Sequence, residues 1–313
     1  MKKAVITGAN SFIGYRLCRC LSQNGWFVYA VIRKDNANNI VLRKEKNIKI
    51  IYSSMKDYDK LDEFIDESCD VGITLAWNGT RGEDRNDVEK QKENFVFSLN
   101  CFNTFYRLGC KKIITAGSQA EYGLWTESRK VTETDICKPN TEYGKYKLEL
   151  YKKAYAFCSE KNITLIEPRF FSLYGDDDSE KTMIIQMVRN MLQNKPCELT
   201  QGVQLWDFLY VDDAIEGLNK LIESPSAEGI YNFGSGISKP LKEYVLEMAK
   251  IVKTQSSLIF GAIPYPKSGI VHTNPAIDKL CRDAFWKPSI CFEEGIKKVI
   301  QRQKHILNNI SNA

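Results

Sequence analysis

The stretch Lys3-Ala4-Val5-Ile6-Thr7-Gly8-Ala9-Asn10-Ser11-Phe12-Ile13-Gly14 decides the fold of this 313-residue chain. Its first part is a short apolar run, which is typical of a strand buried in a parallel sheet. Gly8 then permits a tight turn, and Gly14 lets a following helix pack closely against the sheet. The amide groups at the start of such a helix bind the pyrophosphate of a dinucleotide. Ser11 stands where such turns usually have their middle glycine, so the approach to the phosphate is more crowded here.

Alternating apolar runs extend this interpretation through the first two-thirds of the chain. Predicted strands lie at 3–7, 27–32, 48–52, 71–76, 111–116 and 163–168, and predicted helices at 12–24, 57–67, 86–109 and 142–160. From about residue 175 the pattern changes to a helix at 181–193, a short β segment at 197–210, a helix at 212–223, scattered turns and an amphipathic helix at 291–310. We therefore predict an α/β fold with a doubly wound parallel (Rossmann) sheet in residues 1–174, followed by a smaller lobe in residues 175–313.

A second motif consists of Tyr143 and Lys147, which are four residues apart in a predicted helix. Residues at this spacing lie on one face of a helix, and an ammonium group favours the ionised form of a neighbouring phenol. The pKa of the tyrosine would then move down from about 10. Ser118 precedes Tyr143 by 25 residues and is predicted to polarise a carbonyl group while the tyrosine transfers a proton. A Tyr-x-x-x-Lys pair alone is weak support for a catalytic site, and the dinucleotide-binding turn near the N-terminus strengthens it.

Together these motifs resemble the extended short-chain dehydrogenase/reductase family, and within it the enzymes that act on nucleotide sugars. Four further segments carry the resemblance along the chain: Glu167–Gly175, Trp206–Asp213, Tyr231–Gly236 and Phe285–Pro288. The resemblance implies that the C-terminal lobe binds the substrate and is interleaved with the dinucleotide-binding domain. It also implies catalytic roles for Ser118, Tyr143 and Lys147.

Composition argues against several other classes of protein. No apolar run is long enough to span a membrane, and the net charge of +5 is scattered without the basic stripe that nucleic acid requires. The only two histidines, His272 and His305, make a histidine metal site or a Ser-His-Asp triad improbable, and we expect no metal. The ten cysteines show no metal-ligand spacing, and Met1-Lys2-Lys3 leads directly into a strand rather than a signal peptide. We therefore expect reduced thiols in a cytoplasmic protein.

The end of the second predicted strand indicates the cofactor. A dehydrogenase that binds NAD usually has a carboxylate there to accept both ribose hydroxyls, whereas this strand ends at Ile32 and is followed by Arg33. Because a guanidinium binds a 2′-phosphate, we expect NADP(H), with NAD(H) as the alternative. The resemblance adds contacts near the adenine, where Ser54 replaces a common acid. The predicted cofactor contacts are Gly8, Asn10, Ser11, Phe12, Ile13, Gly14, Arg33, Ser54, Met55, Leu75, Ala76, Tyr143, Lys147, Pro168 and Phe170.

The residues after Ser118 bear on the reaction. In the resembling 4,6-dehydratases an Asp-Glu pair follows the equivalent hydroxyl, but here Gln119 and Ala120 follow it, so elimination of water is disfavoured. Reduction of a 4-keto sugar and 4-epimerisation remain. Arg33 favours the reductase, since a reductase exchanges NADPH at every turnover and an epimerase retains NAD.

Residues 170–213 also resemble CDP-abequose synthase-type enzymes, which reduce the 4-ketone of a CDP-linked dideoxysugar. The expected function is NADPH-dependent reduction of a nucleotide-linked 6-deoxy keto sugar in deoxysugar biosynthesis.

Substrate contacts are predicted from loops that face the cleft of such a sheet. The loop that holds Trp77 and Arg81 follows the fourth strand and is either a substrate contact or a plain surface loop. Trp206 stands where many relatives have an arginine for the diphosphate, so it either stacks on the ligand or simply packs. Candidates to replace that arginine are Arg189, Lys195, Lys267 and Arg282. The predicted substrate contacts are Trp77, Arg81, Asn94, Ser118, Gln119, Phe171 and Trp206.

Two apolar stripes at helical spacing bear on assembly. One consists of Phe95, Leu99, Phe102 and Tyr106, and the other of Leu150, Ala154 and Phe157. Packing in the core explains both stripes. In the resembling family the two helices also pair with their copies, so we expect a homodimer.

Overall fold

A parallel sheet forms the centre of the computed structural model, which describes residues 1–265 and 270–311. The strands are β1 Lys3–Thr7, β2 Phe27–Ile32, β3 Ile48–Tyr52, β4 Val71–Thr74, β5 Lys112–Thr115, β6 Gly117–Ser118, β7 Thr164–Phe170, β8 Ser172–Tyr174, β9 Cys197–Leu199, β10 Leu205–Tyr210, β11 Gly229–Phe233, β12 Ser238–Pro240 and β13 Leu258–Phe260. The central sheet runs in the order β3-β2-β1-β4-β5-β7-β11, with the short β6 paired to β7.

Helices cover both faces of this sheet. They are α1 Gly14–Gln23, α2 Asn39–Leu42, α3 Val88–Arg107, α4 Glu142–Lys161, α5 Met183–Leu192, α6 Val211–Glu223, α7 Leu241–Val252, α8 Asp278–Ala284 and α9 Phe292–Ser311. The 3-10 helices are Met55–Phe64, Gly82–Asn86 and Gln119–Glu121. α1 and α6 pack on one face, and α3 and α4 pack on the other. The predicted doubly wound parallel sheet is confirmed.

Alternation within the strands divides the core between these two faces. Ala4 and Ile6 of β1 belong to the core beneath α1 and α6, whereas Val5 belongs to the core beneath α3 and α4. All three side chains are completely buried. Because a central strand is covered on both sides, its sequence is apolar at every position rather than at every second one.

The C-terminal lobe contributes two small sheets and one strand of the central sheet. β10 lies between β12 and β8 in one small sheet, and β9 pairs with β13 in the other. β11 returns to the central sheet, where it runs parallel to β7. The proposed division of the chain at residue 174 remains a prediction.

Three local predictions are wrong. The segment predicted as a helix at 57–67 is a 3-10 helix over Met55–Phe64, and two of its carbonyl groups accept hydrogen bonds from side chains of α3 instead of from a fourth-neighbour amide. The β segment at 197–210 is two strands, because Gly202 turns the chain with a φ of 69°. The scattered turns beyond residue 223 include α7, whose buried residues Leu241, Tyr244, Val245 and Met248 have helical spacing.

Neither a membrane span nor a metal site is found among the described residues. None of their helices is long and apolar enough to cross a bilayer. Their histidine, cysteine, aspartate and glutamate side chains form no group of three or more that could hold a metal ion.

Candidate active site

Loops at the carboxyl ends of β1, β4, β5 and β7 surround a cavity of about 530 Å³, which we call the main cleft. Ligands of open α/β sheets bind at this edge, where neighbouring loops diverge. Twelve of the predicted site residues line the main cleft: Phe12, Ile13, Leu75, Trp77, Arg81, Ser118, Gln119, Tyr143, Lys147, Phe170, Phe171 and Trp206. Residues from both halves of the chain therefore meet in one place.

The glycine turn after β1 has little room for any side chain. Gly8 has a φ of 67°, and a Cβ atom on it would lie 2.7 Å from the backbone nitrogen of Ala76. A Cβ atom on Gly14 would lie 2.2 Å from the carbonyl oxygen of Gly8. Such separations are far below van der Waals contact, so both positions require glycine. This close packing brings the start of α1 against the edge of the sheet.

Two amide groups of this turn remain free to bind an anion. Ser11, the residue that replaces the usual glycine, accepts a hydrogen bond from the Gly14 amide on its hydroxyl oxygen at 3.1 Å. The amides of Phe12 and Ile13 donate to no acceptor within residues 1–265 and 270–311. Unpaired amides at a helix N-terminus attract a phosphate group, so the turn retains donors for a pyrophosphate despite the serine.

The loop after β2 presents an unpaired cation. Arg33 is exposed and forms no ion pair with any residue in the described part of the chain. Asp35, the first carboxylate after the strand, already accepts hydrogen bonds from Arg43 at 2.7 Å and from the Tyr52 hydroxyl at 2.7 Å. The side chain of Asn10 donates to the carbonyl oxygen of Lys34 at 2.8 Å, which fixes this loop beside the glycine turn.

Other predicted cofactor residues lie outside the lining of the main cleft. Ser54 begins the first 3-10 helix, where its hydroxyl accepts from the Lys56 amide, and Met55 is buried beside Asn78. Pro168 is buried within β7. Ala76 contributes its backbone to the packing against the glycine turn rather than a side chain to the cleft.

The side chains of Ser118 and Tyr143 are brought together at the floor of the main cleft. Both residues are more than nine-tenths buried, and the Ser118 hydroxyl lies close enough to the phenol to lower its pKa. Thr141 begins α4 by accepting a hydrogen bond from the Gly144 amide at 3.1 Å. A Cβ atom on Gly144 would lie 2.3 Å from the carbonyl oxygen of Ala120, so this glycine allows α4 to approach the serine loop.

Burial governs the protonation of Tyr143. Its pKa is raised above the usual value by desolvation, while the hydrogen bond from Ser118 and the charge of Arg85 lower it. This differs from the expectation that Lys147 lowers the pKa. The ammonium group of Lys147 donates to the carbonyl oxygen of Ala116 at 2.7 Å and lies 3.8 Å from the ring centre of Trp77, compared with 5.9 Å from the ring centre of Tyr143. A hydrophobic environment therefore keeps Tyr143 protonated at neutral pH.

Lys147 is itself almost completely buried. Desolvation lowers its pKa to about 8, and the charges of Glu121 and Glu167 act in the opposite direction. Its four-carbon stem follows the face of α4 on which Tyr143 lies, as the spacing predicts. The residue therefore stays mainly charged at neutral pH only because carboxylates lie nearby.

Arg85 is a cleft residue that the sequence did not indicate. Its guanidinium carbon lies 4.9 Å from the ring centre of Tyr143. The residue lines both the main cleft and a second cavity of about 200 Å³, and its buried Nε atom has no hydrogen-bond partner. It belongs to the 3-10 helix Gly82–Asn86, in a polar loop where no spacing rule distinguishes one arginine from another.

Besides Arg85, the described residues on the substrate side of the main cleft include an ion pair and two further unpaired polar atoms. Arg81 donates to Asp178 at 2.8 Å. Gln119 Oε1 and Trp206 Nε1 are buried without a hydrogen-bond partner, although the Trp206 ring packs on Phe208 with centres 6.2 Å apart. Unsatisfied buried polar atoms are uncommon in folded proteins, and at a cleft they are typical of positions that a ligand completes.

The cations proposed to replace the missing arginine are not brought into the main cleft. Arg189 pairs with Glu180, Arg282 pairs with Asp283, and Lys195 is exposed on the loop before β9. Lys267 lies outside the described residues. Lys181, just before α5, lines the main cleft instead and was not predicted.

Asn94 has a structural role in place of the predicted substrate contact. Its side-chain oxygen accepts from the Asn78 amide at 2.9 Å, and its side-chain nitrogen donates to the Asn78 carbonyl oxygen at 2.8 Å. The neighbouring Gln91 accepts from the indole nitrogen of Trp77 at 2.7 Å. These bonds fix the loop after β4, so Asn94 positions Trp77 without reaching the main cleft.

Comparison with known sequences assigns the family. The sequence model of the NAD dependent epimerase/dehydratase family matches residues 4–234. The chain belongs to this family. The match includes the glycine turn, Ser118, Tyr143 and Lys147, and the resemblance to extended short-chain dehydrogenase/reductases is thereby confirmed.

Curated members of the epimerase/dehydratase family match along almost the whole chain. An uncharacterized protein of Methanocaldococcus jannaschii is 28% identical, with 95% of this chain and 94% of that protein covered. CDP-abequose synthase of Salmonella muenchen is 22% identical, with 97% and 98% covered. UDP-glucuronate 4-epimerase of Thermodesulfobacterium geofontis is also 22% identical, with 98% of each covered. A CDP-abequose synthase and a UDP-glucuronate 4-epimerase therefore match at equal identity.

Solved structures of the family share the fold. UDP-glucuronic acid 4-epimerase from Bacillus cereus, in complex with NAD, superposes with a TM-score of 0.84 at 22% identity and covers 97% of this chain and 99% of its own. UDP-glucose 4-epimerase from Thermotoga maritima, in complex with UDP-glucose, also has a TM-score of 0.84, at 19% identity and the same coverage. At this level of identity the likeness establishes the Rossmann-type fold of the epimerase/dehydratase family.

Proposed function

We propose that this protein uses NADPH to reduce the 4-keto group of a nucleotide-linked 6-deoxy keto sugar. The observation that carries the proposal is the pair of Ser118 and Tyr143, buried together at the floor of the main cleft beside Lys147. Two hydroxyl groups directed at one point hold a carbonyl oxygen, and a buried, protonated tyrosine is an acid. The curated relatives include enzymes named for nucleotide sugars, which supports a ligand of that class.

Each of these residues has one part in the reaction. Ser118 donates a hydrogen bond to the keto oxygen and polarises it. Tyr143 donates its proton to that oxygen as negative charge develops on it. NADPH, when bound on the glycine turn, supplies the hydride. Lys147 holds the nicotinamide ribose with its ammonium group.

The protonation of Tyr143 favours reduction over the reverse step. Reduction begins with a protonated tyrosine, whereas oxidation of a sugar hydroxyl begins with a tyrosinate. Burial raises the pKa of Tyr143, so the group is protonated at neutral pH before any ligand binds. An enzyme whose resting form is the acid suits a one-way reduction.

The proposed preference for NADPH is supported by the loop after β2. Arg33 is unpaired and exposed, so it is available for a 2′-phosphate. Asp35 is engaged by Arg43 and Tyr52 and is not available to accept ribose hydroxyls. Asn39 also donates to Asp35, so a cation without a partner lies next to a carboxylate that already has three, and this arrangement suits an NADPH enzyme.

A nucleotide-sugar 4-epimerase with retained NAD is the second candidate. It is favoured by the full-length match to UDP-glucuronate 4-epimerases and by structural neighbours that hold NAD. Such an enzyme would carry its dinucleotide through purification. A reductase would release it and consume added NADPH.

The deciding experiment follows the absorbance of the reduced nicotinamide. Purified protein is mixed with NADPH, and separately with NADH, in the presence of CDP-, dTDP-, GDP- or UDP-linked 4-keto-6-deoxyhexoses. Rapid oxidation of NADPH with one sugar supports the reductase and identifies the nucleotide. No oxidation with any of them, together with NAD released from the denatured protein, would replace the proposal with the epimerase.

We also propose that the protein is a homodimer through α3 and α4. These helices pack on each other, yet Val96, Tyr106 and Tyr155 are each exposed over 43% or more of their surface. Large exposed apolar side chains on neighbouring helices are typical of a contact between subunits. Sedimentation of the wild type and of a Val96→Glu variant tests this proposal, since the charge should convert a dimer into a monomer.

A further inference from the structure

A cluster of buried charged residues lies directly behind the catalytic serine and lysine. Arg169 donates to Glu121 from Nε at 3.0 Å and from Nη2 at 2.9 Å, and it donates to Glu167 at 2.9 Å. All three side chains are at most 1% exposed. Burying three charges is costly, and apolar residues of the same size are often at least as stable. A contribution to the free energy of folding therefore does not explain why these three charged residues are buried together.

The cluster reaches the active site through Glu121. One oxygen of its carboxylate accepts from the two Arg169 nitrogens, and the other accepts from the backbone amide of Ser118 at 2.7 Å. The Ser118 hydroxyl oxygen accepts in turn from the Ala120 amide at 3.2 Å, completing a reciprocal cap of the short helix. Because that oxygen already accepts an N–H, the hydroxyl hydrogen is left to point at Tyr143 and the main cleft.

The fit of this carboxylate is close. A Cβ atom on Gly117 would lie 2.9 Å from Glu121 Oε1 and 2.8 Å from Glu167 Cγ, so the strand before Ser118 rests directly on both acids. Any movement of Glu121 would move the serine. Errors of about 1 Å in the position of a catalytic group can cost about 100-fold in rate.

Charge is the second link between the cluster and the site. The groups that act on Lys147 are Glu121 from the short helix and Glu167 from β7, and both favour its charged form. Burial, and for Glu167 also the charge of Glu121, raises the pKa of both acids, whereas the charges of Arg169 and Lys147 favour their ionised forms. The remaining titratable neighbours are Tyr122, Cys137 and Tyr151, whose pKa values are raised by burial, so they stay neutral near pH 7.

We propose that Glu121 is a positioning residue, which fixes the Ser118 hydroxyl toward the substrate and, together with Glu167, keeps Lys147 protonated, while Arg169 holds both acids in place. This inference rests on the proposed function, because it assigns these roles within the same site. It goes beyond the serine, tyrosine and lysine by adding the residues that orient two of them.

Two isosteric variants separate the two roles. Glu121→Gln removes the charge and leaves one oxygen to serve both Ser118 and Arg169, whereas Glu167→Gln removes a charge of equal burial without touching the serine. In both variants Lys147 loses part of its counter-charge, its pKa falls, and the high-pH limb of the kcat profile moves down by about one pH unit. Only Glu121→Gln should also lower kcat at its own pH optimum, by about 10- to 100-fold, with KM little changed.

The same proteins give a measurement that needs no substrate. Affinity for NADPH and NADH is titrated against pH by protein fluorescence. A charged Lys147 holds the ribose, so affinity should fall as the pH rises and Lys147 loses its proton. In both variants this fall should begin at a lower pH than in the wild type. If the wild type binds dinucleotide but reduces no keto sugar, the proposed function fails and this titration still tests the charge role. Equal kcat and an unmoved high-pH limb in a folded Glu121→Gln protein would overturn the inference.

Stability is checked separately. Melting curves of both variants identify a protein that has merely lost its fold. Should Glu121→Gln not fold, the triple variant Glu121→Gln/Glu167→Gln/Arg169→Gln removes all three members of the cluster, so that no carboxylate is left buried without its arginine. We expect the same shift of the high-pH limb and the same loss of kcat in this protein, and wild-type behaviour there would equally contradict the positioning role.

Discussion

The two sides of the main cleft differ in which polar groups lack a partner. On the cofactor side Ser118 and Lys147 have defined partners, and the free groups include the Phe12 and Ile13 amides and the exposed Arg33, which suit the phosphates of a dinucleotide. On the substrate side Arg85, Gln119 and Trp206 each bury a polar atom without a partner. Free phosphate donors suit the constant part of a dinucleotide, whereas unpaired side-chain atoms of differing chemistry suit the groups of a variable ligand. The cofactor side is therefore general to the fold, and the substrate side is where this protein is specific.

Tyr143 stands at the junction of the two sides, and its replacement should have the largest effect. Tyr143→Phe removes the proton donor beside Ser118 while preserving the ring beneath Arg85. We expect turnover to fall by about 1000-fold or more, because general acid catalysis and carbonyl polarisation are both lost. NADPH affinity, measured by fluorescence, should stay within about twofold, since the phenol contributes little to a charged dinucleotide. A variant that retains a tenth of wild-type turnover would remove Tyr143 from the mechanism.

The next prediction concerns the cofactor side alone. Arg33→Gln should weaken NADPH binding by about 10- to 100-fold and leave NADH binding almost unchanged, because a charge-assisted contact to the 2′-phosphate is lost. Arg19→Gln is the matched control, since Arg19 is an exposed arginine that pairs with Glu45 rather than with Asp35. The measurement is the ratio of kcat/KM for the two dinucleotides. An unchanged ratio in Arg33→Gln, or an equal change in both variants, would contradict the assignment of NADPH.

The comparison between the two sides also explains what the sequence could predict. The glycine turn and the tyrosine-lysine spacing are local patterns, so the doubly wound parallel sheet and α4 could be predicted from them. Glu121 and Arg169 are 48 residues apart in the chain, and only the folded sheet brings them together. Arg85, Asp178 and Lys181 likewise reach the main cleft through tertiary structure, and no periodicity distinguishes them from surface charges.

Two predictions failed because a tertiary contact replaced a local one. Asn94 was assigned to the substrate from its place on α3, but both of its polar groups bind the backbone of Asn78. Lys147 was expected to lower the pKa of Tyr143 from its spacing, but the carbonyl oxygen of Ala116 and the ring of Trp77 hold its ammonium group elsewhere. Spacing places two side chains on one face of a helix and does not determine what else competes for them.

Substitution of Arg85 tests whether a residue on the substrate side influences the protonation of Tyr143. Its charge lowers the pKa of Tyr143, so Arg85→Met should raise that pKa. In the direction of alcohol oxidation, which needs the tyrosinate, the pH at which activity appears should then move upward by roughly half a unit to one unit. In the direction of reduction the protonated form persists to higher pH, so kcat near neutral pH should change by less than about threefold. A downward shift of the oxidation profile would show that the sign of the interaction is wrong.

The smallest effect is expected at Trp206, where the unpaired indole nitrogen lies in the main cleft. Trp206→Phe keeps an aromatic ring against Phe208 and removes only the N–H group. If that group donates to the substrate, KM for the nucleotide sugar should rise about three- to tenfold, the usual value of one neutral hydrogen bond, with kcat and NADPH affinity unchanged. Trp77→Phe is the control on the other side of the cleft, because the indole nitrogen of Trp77 already donates to Gln91. That change should act on the placement of Lys147 and hence on dinucleotide affinity. Steady-state kinetics with both variants therefore separate the two tryptophans, and an unchanged KM in Trp206→Phe would leave the indole as packing alone.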